Sequence, residues 1–375
     1  MQPTKKVALN DKAWARWTAL GLLAFAMFCS YIFMDILSPI KDLLQSTRGW
    51  DSTAFGTMQG SETFLNVFIF FLIFAGIILD KMGVRFTALL SGAVMLVGAT
   101  INWYALTDTF LGSGLDRWFT THLNYIPVFD ELGISPFYEG MPASAKFSAV
   151  GFMIFGCGVE MAGITVSRGI VKWFKGREMA LAMGSEMALA RLGVATCMIF
   201  SPMFANLGGV VSVSRAVAFG VVLLMIALIM FVVYFFMDKK LDESGDVEEE
   251  KDEPFQLRDL GKIMSSGGFW LVALLCVLYY SAIFPFQKYA VNMLQCNLTL
   301  TEPGADSFWA SDAVTVIQYV IMIVVAGASF AFNFSKNAAM KYSMLTIAVV
   351  ALVTYCFFGY MRQSAAAIFA VFPLL

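Results

Sequence analysis

The run Gly76-Ile77-Ile78-Leu79-Asp80-Lys81-Met82-Gly83-Val84-Arg85 sets three charged residues and a glycine between two apolar blocks, 53–79 and 86–105. Each block is long enough for a helix to cross a hydrocarbon core about 30 Å thick. Outward from it the same plan repeats. Further apolar blocks lie at 14–40, 147–171, 179–206, 216–237, 270–293, 312–332 and 338–360, and a tenth begins near 364. Hydrophobic residues make up 59% of the 375 residues and charged residues 14%. Soluble domains run near half apolar and about a quarter charged. So many blocks would leave a soluble protein little surface with which to dissolve. The chain reads as an all-α membrane protein of nine to ten helices.

Basic residues collect in the loops on the side of the N-terminus, with Lys5, Lys6, Lys81, Arg85, Lys172, Lys175, Arg177, Lys239 and Lys240 among them. That asymmetry puts the N-terminus in the cytoplasm. Trp14, Trp17, Trp173 and Trp270 fall where an aromatic belt is expected. The first block is too long for a signal peptide, and no small-residue cleavage site closes it. The six cysteines form no CxxC pair and read as small buried residues. The single histidine, His122, lies in a loop, which excludes a histidine relay across the membrane. No nucleophile–base pair, metal-ligand cluster or cofactor motif is present, so neither a catalytic nor a metal site is expected. The net charge of −2 points to no nucleic-acid partner.

Two loops divide the chain. An outer insertion, 107–146, carries Trp118, Tyr125 and several prolines and reads as a small cap. An acidic run, Val247-Glu248-Glu249-Glu250-Lys251-Asp252-Glu253, cannot enter lipid and reads as a flexible cytoplasmic linker. The expected organisation is a six-helix half over 1–237, a linker over 238–266 and a partial second half over 267–375.

The opening stretch resembles the signature loop of the major facilitator superfamily, G-x-x-x-D-[RK]-x-G-x-[RK], at Gly76, Asp80, Lys81, Gly83 and Arg85. That resemblance implies a bundle of two six-helix halves around a central cavity. In it Gly76 lets a neighbouring helix approach closely, Asp80 meets a helix N-terminus, and Gly83 permits the tight turn. Lys81 and Arg85 hold the loop on the cytoplasmic side. The expected twelve helices exceed what the chain offers, so the second half reads as truncated. Its copy of the loop, Gly327 followed by Asn333 and Lys336, lacks the acid.

A second set of residues narrows the family. Gly158-Val159-Glu160, Lys172-Trp173-Phe174-Lys175-Gly176-Arg177-Glu178 and Ala190-Arg191-Leu192-Gly193 resemble the branch of major facilitator superfamily domain-containing protein one, a lysosomal dipeptide uniporter, and its bacterial relatives. Ser30-Tyr31 with Asp35, and Phe284-Pro285-Phe286, fit the same branch. The resemblance implies that Glu160 and Arg191 grip the amino and carboxylate ends of a peptide.

The physical chemistry of the two positions agrees. Arg191 lies about 20 Å into its helix at 1.5 Å per residue, and Glu160 lies at similar depth from the opposite side. A midplane arginine costs at least about 2.5–3.5 kcal/mol and usually lines a cavity or pathway. A dipeptide, about 7 Å between its ends, fits between an arginine that takes a carboxylate and an acid that takes an ammonium. The alternative is that Glu160 and Arg191 pair with each other and fix the hairpin of the fourth and fifth spans. Asp35 is either a cavity residue that carries a proton or a solvated residue near the outer interface. Glu62 and Glu186 are not taken as ligands. The glycines Gly151, Gly156, Gly158 and Gly163 read as close helix packing.

The expected function is alternating-access uniport of a small zwitterion, a dipeptide above all, bound by Glu160, Arg191, Tyr31 and Asp35. A proton-coupled carrier of organic anions is one rival, and a non-transporting scaffold or sensor is another. The partners expected are the small solute and the lipid bilayer, with the protein a monomer. Asn297-Leu298-Thr299 matches a glycosylation sequon. The N-terminal tail lacks an acidic dileucine signal, which favours a bacterial inner membrane.

Overall fold

A backbone in lipid must bond its own polar groups, and for a single span the helix does so. The computed structural model describes residues 9–244, 261 and 264–298, and every regular element among the described residues is helical. The first unit holds α1 (Ala13–Asp35), α2 (Lys41–Arg48), α3 (Ser52–Phe68), α4 (Phe71–Ala105), α5 (Gly114–Thr121), α6 (Pro127–Glu131), α7 (Ala143–Phe174), α8 (Met179–Ala205) and α9 (Val213–Ser244). The second, divided from it at Glu248, holds α10 (Gly267–Leu298). Among the described residues five stretches are long and apolar enough to cross a membrane: Ala13–Arg48, Phe71–Ala105, Ala143–Phe174, Met179–Gly209 and Val213–Ser244. The spans expected at 312–332, 338–360 and beyond 364 lie outside the described residues, as do the acidic run and the loop at Gly327.

Small residues let the long helices touch backbone to backbone. A Cβ added to Gly98 of α4 would lie 2.5 Å from the Gly151 carbonyl oxygen of α7. One added to Gly156 of α7 would lie 1.9 Å from the Glu62 carbonyl oxygen of α3, and one on Gly193 of α8 would lie 2.5 Å from that of Phe28 of α1. Gly158 meets Met95 of α4 in the same way. In lipid such close approach supplies the dispersion contact that apolar burial supplies in water. Gly163 and Gly76 differ from expectation, for an added Cβ would meet nothing within 4 Å at either. α3 ends at Phe68, short of the level of Gly163 on α7.

The helix boundaries correct the sequence reading at three places. The block 53–79 is broken after Phe68, where Phe70 turns to φ 55°. No glycine or proline marks that break. α9 runs on to Ser244, past the point where the linker was expected to start. Asn297 of the sequon falls in the last turn of α10 rather than in a loop, and Thr299 lies outside the described residues.

The insertion 107–146 folds as a cap. Phe110 stacks on Phe147 with ring centres 5.4 Å apart, and Phe119 packs 5.1 Å from the same ring. Buried Lys146 donates to the Phe119 carbonyl at 3.1 Å and to Asn124 Oδ1 at 2.7 Å. Phe129 of α6 reaches down α3, 4.9 Å from Phe64 and 5.5 Å from Phe68. At the rim Tyr138 approaches Asp51, and burial together with that carboxylate raises its phenol above the usual pKa.

Candidate functional site

The register of α8 against α1 is set by Ser201, whose hydroxyl donates to the Ile36 carbonyl at 2.5 Å, and by Gly193 beneath Phe28. Arg191 lies ten residues before Ser201, hence about 15 Å deeper along the helix. Its guanidinium carbon stands 5.6 Å from the centre of the Tyr31 ring. A cation on an aromatic face gains about 0.5–2 kcal/mol, which offsets part of the cost of placing an arginine at this depth. The guanidinium makes no hydrogen bond or ion pair among the described residues. Five N–H donors in a fixed fork are therefore available to a carboxylate.

Glu160 stands midway along α7, one turn beyond Gly156, on the stripe that faces α3. It is half-buried, and it too forms no ion pair or hydrogen bond among the described residues. The direct Glu160–Arg191 pair is thus absent, and each group keeps its capacity for a ligand. Asp35 is buried in the last turn of α1, one turn from Tyr31, at 2% exposure. Glu62 and Glu186 are buried as well. Glu186 shares the face of Gly193 rather than that of Arg191, as expected from their spacing. No cluster of metal-ligating side chains occurs among the described residues.

The charged loop of the opening stretch forms a separate network at the end of the bundle that carries the N-terminus. Gly83 takes φ 78° and interrupts α4, as a tight turn requires. Among the described residues Asp80 bonds no helix N-terminus; it pairs with Arg168 of α7 at 2.7 Å. Arg85 reaches Asp242 at 3.1 Å and Asp238 at 3.9 Å. Lys172 bridges the same two acids, each at 2.8 Å. Asp238 is fully buried and also accepts from Trp173 Nε1 at 3.0 Å and from the Tyr234 hydroxyl at 3.3 Å. Trp173 therefore leaves the expected aromatic belt, because a buried carboxylate needs every donor in reach. Trp14, Trp17 and Trp270 are exposed.

Beside this network the N-terminal segment is strapped down. Arg16 Nη1 donates to the Asn10 carbonyl at 2.9 Å, and its Nη2 meets Glu178 at 3.1 Å. Arg177 pairs with Asp11, and the Leu9 N–H donates to Ser244 Oγ at 2.9 Å. α1, the α7–α8 turn and the end of α9 are thereby tied to one another.

Sequence reasoning missed Arg168, Asp238 and Asp242, which look like ordinary charges beside a span end until packing brings them together. It missed Asn66 too, an amide in α3 with both polar atoms shielded from solvent and unbonded among the described residues. A polar residue inside an apolar block was the available signal.

Comparison with known proteins adds an independent line. The family model of the Major Facilitator Superfamily matches residues 23–375. The lysosomal dipeptide transporter MFSD1 of Bos taurus is 23% identical over 315 residues, 82% of this chain and 58% of the bovine protein. The human protein of that name gives the same identity and the same shares. That of Danio rerio is 29% identical over 208 residues, 52% of this chain and 45% of its own. The chain thus spans little more than half the length of the mammalian relatives it matches.

Proposed function

Since the chain belongs to the Major Facilitator Superfamily, we propose that it carries a small zwitterionic solute, a dipeptide, across the membrane by alternating access. Arg191 takes the carboxylate and Glu160 the ammonium, while Tyr31 holds the guanidinium in place and Asp35 borders the site. The observation that carries this reading is an arginine deep in the bundle that rests on an aromatic ring and has no carboxylate partner among the described residues. The relatives named as dipeptide transporters support the choice of solute. A neutral dipeptide moving alone transfers no net charge, so membrane potential does not drive it and the mode is uniport. The N-terminus faces the cytoplasm, on the distribution of basic residues, and the membrane is the inner membrane of a bacterium.

Uptake into proteoliposomes tests this. Dipeptides with both termini free should enter without current and without response to an imposed pH gradient, and blocking either terminus should stop entry. Uptake of organic anions alone, driven by the pH gradient, would replace the reading. The burial of Asp35, Glu62 and Glu186 favours that second reading, since a proton-coupled carrier needs acids shielded from bulk water.

A further inference from the structure

Asn66 lies in the last turns of α3, four residues beyond Glu62. Its side-chain nitrogen and oxygen are both closed off from solvent, and neither has a hydrogen-bond partner among the described residues. Buried amides are almost always bonded, so an exception asks for a reason.

Its position supplies one. Gln59, Glu62 and Asn66 recur at helical spacing and share one face of α3. Ala149, Gly156 and Glu160 share one face of α7 in the same way. The two helices meet there. The Ser61 hydroxyl donates to the Ala149 carbonyl at 3.1 Å, and a Cβ on Gly156 would lie 1.9 Å from the Glu62 carbonyl oxygen. The contacts advance together, from Trp50 on Ser144 at 2.9 Å to Glu62 on Gly156, so the helices run parallel. One further turn along each brings Asn66 and Glu160 to one level on facing stripes. α3 then stops at Phe68. Non-helical backbone at membrane depth persists only where it is buried in protein or lines a cavity.

We propose that Asn66 recognises the peptide bond of the bound dipeptide, its side-chain oxygen accepting the peptide N–H. This rests on the dipeptide reading above. A primary amide oxygen accepts readily from an N–H, and a trans peptide group turns its N–H and its carbonyl to opposite sides, so one amide meets one of them. In a dipeptide the peptide nitrogen stands three bonds from the ammonium nitrogen. A residue level with Glu160 is therefore placed to meet it. A single amino acid offers no peptide bond and leaves the amide unmet, which is how a polar site rejects a ligand that lacks the matching group.

The test compares Ala-Ala with its ester isostere, in which oxygen replaces the peptide nitrogen, by thermal-shift titration of the purified full chain. The wild type should bind the amide roughly tenfold more tightly than the ester, as expected when one buried polar partner is lost. Asn66→Leu should bring the ratio close to one, and Asn66→Ser should reduce it. Without ligand, Asn66→Leu should melt at or above the wild-type temperature, because a shielded amide without partners is exchanged for an isosteric apolar group. Equal affinity for amide and ester in the wild type overturns the assignment while leaving the dipeptide reading intact. A preference undiminished in both variants overturns it too. Failure of the wild type to bind any dipeptide removes the reading itself and the assignment with it.

Discussion

The guanidinium carbon of Arg191 on α8 lies 5.6 Å from the centre of the Tyr31 ring on α1. The contact joins two helices whose backbones already touch at Gly193 and Phe28, so among the described residues the arginine is held by position and ring face rather than by a carboxylate. Its N–H fork has no ion pair among the described residues, as the proposed carboxylate site requires.

Tyr31→Phe should then retain most of the dipeptide affinity, because the ring face remains. Tyr31→Ala should lose roughly 2- to 30-fold, the range that a cation–π contact of about 0.5–2 kcal/mol allows. Titration of melting temperature against Ala-Ala checks this, and equal losses in the two variants would show that the hydroxyl rather than the ring matters.

Asp238 gathers Lys172, Trp173, Tyr234 and Arg85 at one buried carboxylate. Asp238→Ala leaves a lysine without its nearest buried partner and should cost about 3–5 kcal/mol of stability. Asp238→Asn keeps an acceptor and should cost less. Thermal unfolding in detergent reads both, and a neutral Asp238→Ala would remove the network from any account of how the bundle end is closed.

Gly156 and Gly163 lie on the same helix and separate two meanings of a helical glycine. Gly156→Ala forces a Cβ into the Glu62 carbonyl and should destabilise by about 1–3 kcal/mol. Gly163→Ala meets nothing within 4 Å and should be neutral, or stabilising by up to about 1 kcal/mol through helix propensity. The difference in melting temperature between the two variants is the readout.

Lys146 ties the cap to α7 through Phe119 and Asn124. Lys146→Ala should open the segment 107–142 to limited proteolysis at protease levels that leave the wild type intact. It should leave the aromatic cluster around Phe147 partly formed. Unchanged cleavage would mean that the cluster alone holds the cap.

Much of this was legible in the residues. The apolar blocks and the charged stretch at Gly76–Arg85 announced a helical membrane bundle, and the depth of Glu160 and Arg191 followed from counting along their helices. The break after Phe68 was not legible, since Asn66-Val67-Phe68-Ile69-Phe70 contains neither glycine nor proline and its weak helix formers are ordinary in apolar spans. Nor were the partners of Asp80 and Arg85. Arg168, Asp238 and Asp242 come from segments distant in sequence, and only the packing of α4 against α7 and α9 brings them to one place. Trp173 carried the signature of an interface residue, yet a buried acid beside it changed its role.

The central claim is that Arg191 receives the carboxylate of a zwitterionic solute. Melting temperature titrated with Ala-Ala and with its C-terminal amide, in the wild type and in Arg191→Ala, tests it most directly. The expected result is stabilisation of the wild type by the free peptide, little by the amide, and none of either in Arg191→Ala. Equal stabilisation of wild type and Arg191→Ala by the free peptide would contradict the claim.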